Sequence, residues 1–164
     1  MRLLPLTFSA LTAVAVSLGL SGCGNHEAHD RDHAATDTHA AGGHAHQPKY
    51  GGQLVELGEH QGNLELVLDS TAGKLTLYCL DAHAENFVRL PLPSITLLAE
   101  TPGGPQTLTL QPVGNAATGE KPGNSSQFEG TADWLKSTPA FKGRIPELTV
   151  KATTFRDVTF GLPQ

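Results

Sequence analysis

Leu64-Glu65-Leu66-Val67-Leu68 and, after a short gap, Leu75-Thr76-Leu77-Tyr78-Cys79 decide the fold class. In each run leucines recur at every second position, the repeat that places alternate side chains on opposite faces of a strand. Between them Ser70-Thr71-Ala72-Gly73 is turn-forming, so the two runs read as the arms of a hairpin. The same rhythm returns at Ile95 and Leu97, Leu108 and Leu110, Leu148 and Val150, and Val158 and Phe160. Thr101-Pro102-Gly103-Gly104-Pro105 is a tight turn, and Ala116 to Ser126 is polar and glycine-rich, the composition of an exposed loop. About seven or eight half-buried antiparallel strands over residues 50–164 predict an all-β domain, an Ig-like β-sandwich. Thr131 to Lys136 is expected to form one helical turn that closes an end, with Trp134 over the core.

Upstream the texture changes. Gly24 to Pro48 contains almost no large apolar side chain, and six of the eight histidines lie there: His26, His29, His33, His39, His44 and His46. Such a segment buries too little surface to offset its ordering entropy, which predicts a disordered histidine-rich tether over 23–49. Further back, Leu11 to Leu20 is an uncharged apolar run after Arg2, too short to span a bilayer and suited to a signal-peptide core over 1–22. Leu20-Ser21-Gly22-Cys23 follows, a small-residue cleavage site directly before a cysteine, and resembles a bacterial lipobox. Acylation of Cys23 would anchor the chain, since each buried methylene adds roughly 0.8 kcal/mol of membrane affinity. Gly24 rather than Asp after the cysteine implies, by the same resemblance, an outer-membrane lipoprotein facing the periplasm.

Cleavage before Cys23 would remove the single methionine, and with Cys23 lipidated only Cys79 is left, unable to form an intramolecular disulfide. The formal charge of −5 becomes −6 on loss of Arg2, a balance that disfavours nucleic acid as a partner.

Candidate chemistry therefore rests on imidazoles. On a helical wheel His26, His29, Asp30, His33 and Asp37 fall within roughly 100 degrees, although a free helix of this length needs metal to supply its ordering energy. His44-Ala45-His46 beyond Gly42-Gly43 suits an extended chain with both rings on one side. Imidazole with carboxylate fits Zn(II), Cu(II) or Ni(II), whereas Cu(I) prefers sulfur, and Cys79 shares the core register of Leu75 and Leu77. A solvated linker without metal is the other reading of this composition. The last two histidines, His60 and His83, occupy turns 58–62 and 81–86. In a meander of 53–57, 63–68 and 74–80 these turns emerge at the same end, where Glu59, His60, Asp81, His83 and Glu85 either converge or stand as unrelated loop residues.

Gly51-Gly52-Gln53-Leu54-Val55-Glu56-Leu57-Gly58, Leu64 to Leu68, and Gly73-Lys74-Leu75-Thr76-Leu77-Tyr78-Cys79-Leu80-Asp81-Ala82-His83 resemble the small periplasmic domain near the N-terminus of heavy-metal efflux adaptor (membrane fusion) proteins. The resemblance covers residues 51–83 and implies a role beside a metal-efflux component. Family members often carry a histidine before the Gly-Gly pair, where Tyr50 stands here. After Gln164 no length remains for the coiled-coil, lipoyl and barrel parts of an adaptor. No nucleophile elbow, phosphate-cradling loop or paired-cysteine signature is present, so a non-enzymatic protein is expected. Two functions follow: binding or buffering of divalent metal in the envelope, with ligands released as protons compete below about pH 6.5, or an envelope protein-interaction module with no metal role.

Overall fold

Each alternating run forms a strand because one of its two faces is apolar and needs cover. The computed structural model describes residues 46–162. Its elements are β1 (Gln53–Leu57), β2 (Gly62–Asp69), β3 (Lys74–Leu80), β4 (Ile95–Thr101), β5 (Gly104–Pro112), β6 (Gln127–Thr131), α1 (Asp133–Ser137), β7 (Phe141–Val150) and β8 (Thr153–Leu162). The leucines at 64, 66, 75, 77, 97 and 110 are all fully buried in one continuous core. Among the described residues no helix is long and apolar enough to cross a membrane.

The all-β, antiparallel expectation holds, and its packing differs. The strands form one eight-stranded sheet in the order β1-β2-β3-β6-β5-β4-β7-β8 rather than two stacked sheets. β1 and β8 approach each other without a hydrogen-bonded ladder, so the sheet nearly closes into a barrel-like shape. Two long-range pairings decide this. β3 takes β6 as its neighbour, with Leu77 opposite Phe128, and β4 takes β7, with Ala99 opposite Gly143. Sandwich and curled sheet present the same one-sided alternation, and only the partner of each strand distinguishes them.

Two local expectations change, and the helical turn with Trp134 against the core is present. Alternation gives little sign of β6, whose only large apolar side chain is Phe128. The loop ahead of it is exposed over much of its length, but Ser125 and Ser126 at its end are buried. Ser125 Oγ lies 2.6 Å from Val113 O and 2.9 Å from Gln127 O, so its one hydroxyl proton is shared between two carbonyls where β5 leads into β6. In α1 the buried residue is Leu135, while Trp134 is only partly buried and packs edge-on against Phe141 at 5.2 Å between ring centroids. At the helix Leu135 points inward, and the larger indole covers its flank.

Cys79 lies in the core, 1% exposed, and burial pushes its thiol well above the ordinary range. It is a small core side chain with no thiolate to offer a metal.

Candidate functional site

Antiparallel register carries two turns to one end of the sheet. Leu57 pairs with Gly62 across the β1–β2 turn, and Asn63 pairs with Leu80, so the β3–β4 connection begins beside that turn. The meander is the one expected, and both histidine turns emerge together. His60 Nδ1 lies 3.1 Å from Glu56 Oε1, which also accepts the His60 backbone N–H at 2.8 Å. A proton held on Nδ1 toward this carboxylate leaves Nε2 with its lone pair outward, the arrangement found behind metal-bound imidazoles.

The second turn is braced from below. Buried Asn63 donates through Nδ2 to the carbonyls of Asp81 and Ala82, both at 3.0 Å. The Asp81 carboxylate accepts from Glu85 N at 2.9 Å and Asn86 Nδ2 at 2.7 Å. Desolvation pushes its pKa up, but hydrogen bonds from the Asn86 side chain and from the backbone of Glu85, Asn86 and His83 outweigh it and bring it down to about 2. A carboxylate with a lowered folded-state pKa supports the fold above its ordinary value near 3.8, and this support is lost as pH falls toward 2. The Glu85 amide resonance should therefore titrate with a midpoint near 2; a midpoint near 3.8 would show the turn bonds absent in solution.

A third segment completes the site. Residues 46–52 cross the outer face of the meander as a strap. Glu65 points outward from β2, yet it is fully buried because the strap lies over it. Its Oε2 accepts from Lys49 N at 2.9 Å, and its Oε1 from Tyr50 N at 2.7 Å and Gly52 N at 3.0 Å. Hydrogen bonds to a charged acceptor contribute about 1.5–3 kcal/mol each, a large offset to the entropy of ordering a short strap. Glycine is needed at 52, where a Cβ would stand 2.4 Å from Leu66 O. Tyr50 stacks on Tyr78 at 4.1 Å between centroids, and Lys49 Nζ donates to Glu85 O and sits 5.4 Å from the centroid of Phe87.

His46, at the start of the strap, is thereby placed between the two turns. Its ring centroid is 6.4 Å from that of His60 and 6.0 Å from that of His83, both edge-to-face. No protein-family model, curated protein or solved structure matches this chain. The site is thus read from its own geometry. Two imidazoles sharing a tetrahedral metal at about 2.0–2.1 Å have centroids about 5 Å apart, so each pair stands about 1 Å wider than a closed site. Accordingly, among the described residues no three His, Cys, Asp or Glu side chains are already set around one metal position.

The structure brings His46, His60 and His83 together, with Glu56 behind His60. Asp81 is committed to its own turn, and no closed cluster of Glu59, Asp81 and Glu85 with the imidazoles is formed among the described residues. Cys23, His26, His29, His33, His39 and His44 lie outside the described residues. Sequence reasoning missed Glu56, Asn63 and Glu65. For Glu56 a signal exists, a carboxylate four residues before a turn histidine; for Glu65 the only hint is a Gly-Gly pair able to approach a strand closely.

Proposed function

We propose that this chain is a non-enzymatic lipoprotein of the bacterial envelope, anchored through Cys23, that binds and buffers divalent metal with imidazole ligands. The observation that carries the reading is the gathering of His46, His60 and His83 at one end of the sheet, with His46 contributed by the end of the histidine-rich segment. The ligands are nitrogen and oxygen, and the one cysteine of the domain is sequestered in the core, which favours Zn(II), Cu(II) or Ni(II) over Cu(I). The two pairs that include His46 stand about 1 Å wider than in a closed site, and drawing them in costs energy, which suits exchangeable binding rather than permanent retention. The lipobox and the resemblance to efflux-adaptor domains support a place on the periplasmic side of the outer membrane, beside a metal-efflux component.

One observation favours the second reading, an interaction module: Tyr50 and Phe87 are 49% and 47% exposed and form an aromatic patch with Tyr78. Zn(II) calorimetry on the mature chain with Cys23 replaced separates the two. More than one zinc per chain is expected, with most uptake lost on deleting residues 25–47 and the remainder on His60→Ala with His83→Ala. Absence of uptake by the undeleted chain would leave the interaction module as the better account.

A further inference from the structure

Without the strap, His60 and His83 are two exposed imidazoles on neighbouring turns. What adds His46 is a carboxylate on the outer face of β2. Glu65 is the one acidic side chain among the described residues with no exposed surface, and its two oxygens take three backbone donors of one short segment, the N–H groups of Lys49, Tyr50 and Gly52. We infer that Glu65 is the positioning residue of the three-histidine site: by latching the strap to the sheet it holds His46 against His60 and His83.

The physical argument has two parts. Glu65 makes no hydrogen bond or ion pair with an imidazole among the described residues, and its bonds go to the backbone of the strap. The three N–H groups face the sheet in part-buried positions, so removing their acceptor leaves them unpaired on that side and favours a strap that lifts until they are solvated. His46 is three residues from the first of these donors, and a lifted strap carries it away. Apparent affinity scales with the fraction of molecules in which all ligands are in place, so the latch sets how much of the binding energy the metal must spend on ordering the strap. Lys49 Nζ on Glu85 O and the Tyr50–Tyr78 stack secure the same segment, but Lys49 and Tyr50 are exposed side chains, whereas the Glu65 carboxylate that takes the backbone donors is buried.

The inference rests on the metal-binding reading for its purpose, and its test includes a readout that needs no metal. In the metal-free mature chain with Cys23 replaced, nuclear Overhauser contacts should link the His46 ring to those of His60 and His83, and Glu65→Leu should abolish them. Glu65→Gln keeps one carbonyl oxygen for Tyr50 and Gly52 and turns an NH2 group toward Lys49 N, so it should retain the contacts in weakened form. With Zn(II), Glu65→Leu should lower affinity at the domain site about tenfold, to the level of His46→Ala, and the double variant should be no weaker than either single one. A cooperative thermal transition followed by Trp134 fluorescence establishes that each variant is folded; if Glu65→Leu is not, Glu65→Gln carries the test. Ring contacts unchanged in the folded variant, or absent from the parent chain, would overturn the latch. Ring contacts present in a parent chain that takes up no zinc would leave the latch standing and remove the metal function instead.

Discussion

Phe128→Ala is expected to destabilise the domain by about 3–5 kcal/mol, the usual cost of emptying a fully buried phenylalanine site. Phe128 has no exposed surface and is the largest fully buried side chain of the described core. It sits opposite Leu77 on β6, and β6 is the strand that joins the β1-β2-β3 meander to β5. Collapse around the cavity is limited, because the strand is only five residues long and is already close-packed: a Cβ at Gly130 would lie 2.8 Å from Leu110 Cδ2. A domain of this size has about 5–15 kcal/mol in total, so the variant should approach the threshold of folding. Urea denaturation checks this; a loss under about 1.5 kcal/mol at unchanged slope would mean that β6 is not central to the core.

Gly143→Val should cost about 3 kcal/mol, at the upper end of the range for overpacking. Gly143 on β7 is paired directly with Phe160 on β8, and the aromatic ring lies across the glycine. A Cβ there would be 2.2 Å from Phe160 Cζ, a distance that the ring relieves only by leaving its place beside Phe141. Position 143 also pairs with Ala99 on β4, a small residue on the other side. The cost is therefore steric and tied to one partner. Thermal unfolding of Gly143→Val with and without Phe160→Ala measures it: the smaller side chain should recover a substantial part of the loss, and strict additivity of the two changes would contradict the contact.

The histidine site divides along the same lines. That the turns of His60 and His83 share an end follows from counting strands, since antiparallel neighbours reverse direction and the observed β1, β2 and β3 match the expected runs closely. That His46 joins them does not follow. It belongs to a stretch whose composition predicts no fixed structure, and it is placed by Glu65, a residue whose position on the solvent-side register of β2 marks it as exposed. The contradiction is instructive: alternation tells which face of its own strand a side chain occupies, but not what the rest of the chain lays over that face.

What the amino-acid order determined alone is local: strands from period-two alternation, turns from glycine, proline and small polar residues, and a core register for Cys79. Each depends on a few neighbouring residues and on the chirality and polarity of the backbone. Tertiary structure alone decided that β3 neighbours β6 and β4 neighbours β7, which turns the strands into one curled sheet, and that a strap covers Glu65 and sets His46 between two turns. Strand partnership and cover are choices among distant segments with nearly equal local preferences, and they are made by the total surface buried and the donors satisfied when the whole chain closes.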